Sequence, residues 1–379
     1  MKKLFSDIKG SLEVDNAIRA SRSLVKQGYR DEAVVLISTV FDFKLPSLGL
    51  ENIEAVAREF RRLGCYNLAG DCFFIIFNKC YTEGGFDFLG SKVSIDNVDF
   101  FAGGDENLGF YLNSKKGVIR KFGSSKSTIR KEIGFYEKVK DLGLSLPYIP
   151  AFFGTGSAGD YISYLDLEFL SNASETSVFE EGVAGKISSF YSRVEEERIR
   201  INLTSSPPEK IDIFGFRGMF YSFRVGSIGL IKSFVEMACE FYGYDANSIL
   251  SKPFLVDFFA MDSVDKFLAH GDLHNGNLIK SDESFKIIDW GRAQDAPIGL
   301  DFAFYISVHA KNPSDLECCV RLFLGFDVFR DDPASLKKSF FYLACIGAVS
   351  RLARKNKDSF AKMVGVVDQV FYAVDKGKV

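Results

Sequence analysis

Between positions 270 and 289 the chain reads His-Gly-Asp-Leu-His-Asn-Gly-Asn-Leu, then a short polar turn, then Lys-Ile-Ile-Asp. No other stretch restricts the possible folds as strongly. It sets a carboxylate at Asp272, an amide at Asn277, and a second carboxylate at Asp289. The second carboxylate closes a largely apolar run, Phe285 to Ile288, with the length and composition of a short strand.

One acid to steer a hydroxyl, and an Asn and an Asp to hold Mg²⁺, are what phosphoryl transfer from ATP demands. The transition state is loose, so catalysis is mostly position and charge neutralisation. A carboxylate beside the acceptor can orient it and take its proton late, which contributes roughly 10²–10⁴-fold. Mg²⁺ prefers hard oxygen ligands and takes one or two from side chains, with phosphate and water supplying the rest. Asp272 fits the base, and Asn277 and Asp289 fit the metal ligands. An Asn adds an oxygen without a second negative charge that would repel phosphate.

Composition narrows the alternatives. The 379 residues are 47% hydrophobic, enough for two or three packed domains. The 47 basic and 50 acidic residues are interleaved, so no nucleic-acid surface is indicated. Seven scattered cysteines without a Cys-x-x-Cys pair argue against a disulfide framework or a zinc ribbon. A reducing cytoplasmic setting is the expectation. The N-terminus turns polar too early for a signal peptide, and no apolar run approaches the roughly 20 residues that span a bilayer.

Residues 1–90 read as a helical domain. Leu24, Val25, Ala33, Leu36 and Ile37 recur at helical spacing around Gly28, and Val56, Phe60, Leu63, Leu68, Ala69 and Phe73 do so around Gly64. The offset of 36 residues also relates Ala33 to Ala69 and Lys26 to Arg62, a pattern similar to a tetratricopeptide-type hairpin present twice, with an ordinary helical cap as the favoured alternative. Two such units cannot form a solenoid alone, so they are expected to pack on the rest of the chain, and they offer a surface for a protein partner. Residues 91–170 read as a small β-rich block. Strands are expected at Val98–Ala102, Phe110–Leu112, Gly117–Phe122 and Tyr161–Leu170, with a helix from Thr128 to Leu142. Residues 171–379 read as mostly helical around the catalytic loop, with a break at Pro207-Pro208.

The 270–277 segment, followed by Ile288-Asp289-Trp290-Gly291-Arg292-Ala293 and by Gly299-Leu300-Asp301-Phe302-Ala303, resembles the aminoglycoside phosphotransferase and choline kinase superfamily. The likeness runs from about 95 to 355. It implies an α+β, bilobal, protein-kinase-like fold: a small β-rich N-lobe, a mostly helical C-lobe, and here an extra N-terminal helical domain. It implies ATP and Mg²⁺ as cofactors, Asp272 as the base, Asn277 and Asp289 on the metal, Asp301 as a brace for the loop, and His270 as its support. Gly103, Gly104 and Gly109 would form the phosphate-covering turn, where absent side chains let backbone amides approach the nucleotide. A cation on the third strand, Arg120 or Lys121, would face the α- and β-phosphates. The Val118-Ile119 pair favours Arg120, and alternation allows only one of the two to point inward. Glu132 would be that cation's partner, with Glu137 as second choice. Glu168, Phe169 and Leu170 would form the hinge that meets the adenine edge.

Other motifs are weaker. Gly154-Thr155-Gly156-Ser157-Ala158-Gly159 fits a dinucleotide fingerprint but precedes a strand rather than a helix, so a hairpin turn is expected. Ser124–Ser127 lacks the first Gly of a Walker A loop. Histidines 270 and 274 around Asp272 could suggest a hydrolase metal cluster, yet His309 is the only other histidine. The acceptor is expected to be a small-molecule or glycan hydroxyl, a sugar by preference. A protein substrate is the alternative, disfavoured because no Ala-Pro-Glu follows Asp289. A binding module that uses the N-terminal helices is a further one.

Overall fold

The computed structural model describes residues 14–44, 48–81, 83–100, 107–124, 126–202, 222–281, 284–330 and 336–375. The chain divides into two compact units, 1–133 with 151–171 and 134–150 with 172–379.

The first unit begins with two helical hairpins: α1 (Val14–Lys26) with α2 (Arg30–Lys44), and α3 (Leu50–Arg62) with α4 (Tyr66–Cys80). Each helix buries one apolar stripe, such as Ile53, Val56, Ala57 and Phe60 of α3. The 36-residue repeat is visible in the backbone. Gly28 and Gly64 both take positive φ. Each donates its amide to a carbonyl three residues back, Val25 or Arg61. The following amides, of Tyr29 and Cys65, reach back five residues to Leu24 and Phe60. This is the same helix-ending motif used twice.

Residues 85–94, at the junction of the expected helical and β regions, form a β-hairpin instead of continuing the helices: β1 (Gly85–Phe88) and β2 (Ser91–Ser94). Phe86 and Phe88 alternate with exposed Asp87, and the tight turn at Leu89-Gly90 has positive φ at both residues, as a two-residue hairpin requires. A four-stranded antiparallel sheet follows, in the order β3 (Gly109–Asn113), β4 (Val118–Ser124), β6 (Ile162–Glu168), β5 (Phe152–Ala158). The strand expected at Val98–Ala102 reduces, in its described part, to a bridge between Asp99 and Phe110. Helices and sheet share one core, in which Phe77 meets Phe100 and Phe122 edge-on at 4.9 and 5.0 Å. Gly154 and Gly156 lie inside β5, so the apparent dinucleotide fingerprint is one arm of a hairpin. Helix α5 (Ile129–Asp141) follows β4 and carries residues of both units.

The second unit is mostly helical. Its largest described helices are α6 (Val183–Glu196), α7 (Ile228–Tyr242), α10 (Leu300–His309), α11 (Pro313–Leu324), α13 (Leu336–Leu352) and α14 (Ser359–Asp375), with α8 (Asn247–Leu250), α9 (Val256–Phe259) and α12 (Asp327–Arg330) as short pieces between them. Helix α13 is buried without interruption from Ser339 to Ser350, as a central helix of such a unit must be. Two small antiparallel sheets are set into it: β8 (Phe267–Ala269) with β11 (Gln294–Ala296), and β10 (Phe285–Ile287) with β9 (Leu278–Lys280) and β7 (Ser174–Glu175). The 270–277 motif spans the connection from β8 to β9, and Asp289 lies two residues past β10. A β-rich unit with added N-terminal helices, followed by a helical unit holding the loop, is the α+β protein-kinase-like arrangement expected above.

Candidate active site

In the second unit the loop is shaped by its flanking strands. Ala269 pairs with Gln294, so the chain leaving β8 runs beside residues 292–294. Gly271 has φ +78, and an added Cβ would lie 2.2 Å from the carbonyl oxygen of Arg292. Only glycine fits there. Asp301, 3% exposed, sits at the start of α10 and accepts the amides of His270 at 2.6 Å and Gly271 at 2.8 Å. It also accepts the Tyr191 hydroxyl at 2.5 Å. Burial, reinforced by the Asp301 charge, pushes the Tyr191 phenol well above its usual range, so it stays a donor. The brace expected of Asp301 is therefore a three-donor grip, with Tyr191 as a member that its sequence context does not announce.

His270 is fully buried and ties the loop to the end of the following strand. Its Nδ1 accepts the Asp272 amide at 3.2 Å, which leaves the proton on Nε2 for the Ile288 carbonyl at 2.8 Å. Trp290, also fully buried, packs edge-on to this ring, stacks on Phe135 at 4.6 Å, and donates its indole N–H to Ile287.

The three chemistry-bearing residues belong to this one framework. Asn277 donates Nδ2–H to the Asp272 carbonyl at 2.9 Å, which leaves its Oδ1 for another partner. Its own carbonyl accepts the Ile288 amide at 2.9 Å, next to Asp289. Asp289 takes left-handed backbone angles, φ 63 and ψ 59, a conformation that Asp tolerates better than most residues. The Asp272 carboxylate lies 3.6 Å from the half-exposed Arg292 guanidinium, a neighbour whose role the motif alone does not reveal.

A second layer holds the tip of the loop. The Tyr305 hydroxyl donates to Asn275 Oδ1 at 2.5 Å. His309 Nε2 accepts the Asn275 amide at 3.1 Å, and His274 Nδ1 accepts that of Gly276 at 3.1 Å. Burial lowers the His309 pKa from its usual value, with His274 and Lys311 adding to the effect. Histidine 274 is thus a loop-forming residue. Among the described residues no group of three His, Cys, Asp or Glu side chains could hold a metal.

In the first unit Arg120 and Lys121, the two candidate cations, take different partners on opposite faces of β4. Arg120 stands opposite Asp166 in the β4–β6 register, so the two share a face. They form a buried two-pronged pair at 2.6 and 2.7 Å, with Arg120 4% exposed. The guanidinium also donates to the Asp87 carbonyl and lies 3.8 Å above the Tyr164 ring. Lys121 points to the other face and pairs with Glu132 of α5 at 2.6 Å. Glu132 is therefore the ion-pair partner of Lys121, and Asp166 that of Arg120.

Gly103 and Gly104 lie outside the described residues. Gly109 opens β3 with φ outside the positive region, and an added Cβ would meet Val98 Cγ1 at 2.9 Å, so close packing explains it. At the expected hinge, Glu168 ends β6, its amide donates to Ala151, and its carboxylate accepts the Ala151 amide. The Phe169 amide donates to the Gly117 carbonyl at 2.8 Å, which commits it within the sheet. Leu170 follows, half-buried.

No protein-family model matches the chain, and no curated protein matches it. Solved structures do. An amicoumacin kinase, hAmiN, in complex with AMP-PNP, Ca²⁺ and Ami is similar over 78% of this chain and 92% of its own, at 14% identity and a TM-score of 0.42. An aminoglycoside phosphotransferase from Alicyclobacillus acidocaldarius is similar over 79% and 96%, at 13% and 0.42. The choline kinase LicA from Streptococcus pneumoniae is similar over 80% and 98%, at 16% and 0.35. With TM-scores below 0.5, the functional assignment rests on the residues themselves.

Proposed function

We propose that the chain is an ATP- and Mg²⁺-dependent phosphotransferase acting on a hydroxyl of a small molecule, a sugar or glycan by preference. The observation that carries this reading is the framework joining Asp272, Asn277 and the strand end at Asp289: Asn277 binds the Asp272 carbonyl through its side chain and the Ile288 amide through its backbone.

In this reading Asp272 orients the acceptor hydroxyl. The hydroxyl oxygen forms a bond to the γ-phosphorus as the bond to the bridging oxygen of ADP breaks. The hydroxyl proton passes to the Asp272 carboxylate, and Arg292 beside it holds that group and offers positive charge to the transferring phosphoryl. Asn277 Oδ1 and the Asp289 carboxylate are the oxygens that suit Mg²⁺, which would neutralise phosphate charge when bound. Within the first unit Lys121, ion-paired with Glu132, is the cation that suits a nucleotide's phosphates.

Two observations favour a neutral hydroxylated acceptor. The single Trp is sealed in the interior, so it cannot join an aromatic cage for a quaternary ammonium. The acidic run at 195–197 is at least partly engaged: Glu195 binds Lys337 and Glu197 binds Arg193, each at 2.7 Å. That leaves less negative charge to attract a polycationic antibiotic.

Asp272→Ala and Asp289→Ala test the assignment. Each is expected to lower ATP-dependent phosphorylation by at least about 10² with the unfolding midpoint little changed. Wild-type turnover in both would refute it. A screen of ATP consumption against sugars, aminoglycosides, amino alcohols and protein mixtures identifies the acceptor.

A further inference from the structure

Helix α3 sends two charged side chains out of the helical hairpins and into the sheet. Arg61 is 6% exposed, with its guanidinium 4.4 Å above the Phe73 ring. Nη1 donates to the Asn107 carbonyl at 2.6 Å and Nη2 to the Phe100 carbonyl at 3.0 Å. Phe100 and Asn107 are the residues on either side of positions 101–106. A guanidinium is a planar fork of fixed geometry, so gripping both carbonyls fixes their separation.

Two turns earlier on the same face, Glu54 accepts the Ser124 hydroxyl at 3.1 Å and the Tyr161 hydroxyl. Ser124 closes β4, three residues beyond Lys121, and Tyr161 leads into β6. Glu59 on the same helix behaves differently. It is also buried, but its bonds go to Ser21, Arg22 and Arg62, all within the helical hairpins. Arg61 and Glu54 thus reach residues beside Lys121 and the Gly-containing segment, whereas Glu59 serves only the helices.

We propose that Arg61 is a positioning residue for nucleotide binding. It fixes Phe100 and Asn107, and with them the point at which β3 begins, while Glu54 anchors the end of the strand that carries Lys121. This rests on the phosphotransferase reading above. It makes the N-terminal helices a working part of the nucleotide-binding unit rather than a docking module. A side chain that sets the geometry of a site without touching the ligand can change its performance strongly, because small displacements are costly.

The test measures the Kd of Mg·ATP by calorimetry, together with the thermal midpoint, in the full chain and in Arg61→Lys, Glu54→Gln and Glu59→Gln. A lysine can hold one carbonyl but not both. Arg61→Lys is expected to raise the Kd roughly 10- to 100-fold, and Glu54→Gln to raise it less. Glu59→Gln is expected to lose thermal stability while binding Mg·ATP like the wild type. A folded Arg61→Lys protein with wild-type Kd overturns the proposal. So does a Glu59→Gln protein that loses affinity as much as Arg61→Lys. Should Arg61→Lys fail to fold, a wild-type Kd in folded Glu54→Gln overturns it. Failure of the wild type itself to bind Mg·ATP instead refutes the phosphotransferase reading, before any variant is compared.

Discussion

The amide of His270 donates to the carboxylate of Asp301 at 2.6 Å, across 31 positions of sequence. The other oxygen of that carboxylate takes Gly271, and Tyr191 completes the set. Asp301→Asn replaces one acceptor oxygen with a donor and sets it against an N–H or O–H group. Leaving one buried donor unmatched costs about 1–3 kcal/mol. Urea unfolding is expected to show a loss of that order together with loss of turnover. Unchanged stability would contradict the role given to this carboxylate.

Gly271→Ala is expected to be more damaging than Gly28→Ala, although both sites have positive φ. At Gly28 an added methyl meets nothing within 4 Å, so only backbone strain is added. At Gly271 it collides with the backbone of Arg292, and displacing packed backbone adds roughly 1–3 kcal/mol. Parallel melting curves and turnover measurements distinguish the two: Gly28→Ala keeps activity and Gly271→Ala loses it.

Arg120 and Lys121 are neighbours, each in a buried ion pair, and nucleotide binding is what separates their expected phenotypes. Arg120→Met strands Asp166 as a buried unpaired charge, a loss of about 3–5 kcal/mol. Lys121→Met strands Glu132, 1% exposed, and is expected to lose stability as well, but it alone of the two also weakens Mg·ATP binding. Calorimetric Kd values and unfolding midpoints for both variants check this. A Lys121→Met protein that binds Mg·ATP at full strength would remove that lysine from the nucleotide site.

Stability is expected to fall on the acid side of neutrality through His309. Its folded-state pKa lies below the ordinary 6.5. In the interval between the two values the unfolded chain holds a proton that the folded chain lacks, so stability rises with pH there. The contribution is complete above about pH 6.5 and is lost as pH drops through the folded-state pKa. Protonation at Nε2 would also remove the acceptor of the Asn275 amide. Melting midpoints from pH 5 to 8 should show a shallower acid-side slope in His309→Gln than in the wild type.

The loop was readable because its information is local. Asp272, Asn277 and Asp289 stand out through their spacing together with the flanking His-Gly and Ile-Asp-Trp-Gly, and in the structure Asn277 bonds the Asp272 carbonyl and the Ile288 amide. The helix ends at Gly28 and Gly64 are local in the same way, each set by adjacent residues. The choice between Arg120 and Lys121 was not. Alternation says that they face opposite ways, but which face receives Glu132 depends on Asp166, placed opposite Arg120 by strand pairing 46 residues away. Tyr191 and Tyr305 carry no local signal, because each acts through a lone hydroxyl on a helix of ordinary composition. The hairpin at 85–94 was hidden by its closeness to α4, where Phe-rich sequence suits either a helix or a strand.

The sealed position of Trp290 has a practical consequence. The chain holds one indole, stacked on Phe135 and adjacent in sequence to Asp289. Its emission therefore comes from a single, water-shielded chromophore within the second unit. Titrating the native protein with nucleotide or divalent ions and following the colour and intensity of that light gives occupancy without a label, and without knowing the acceptor.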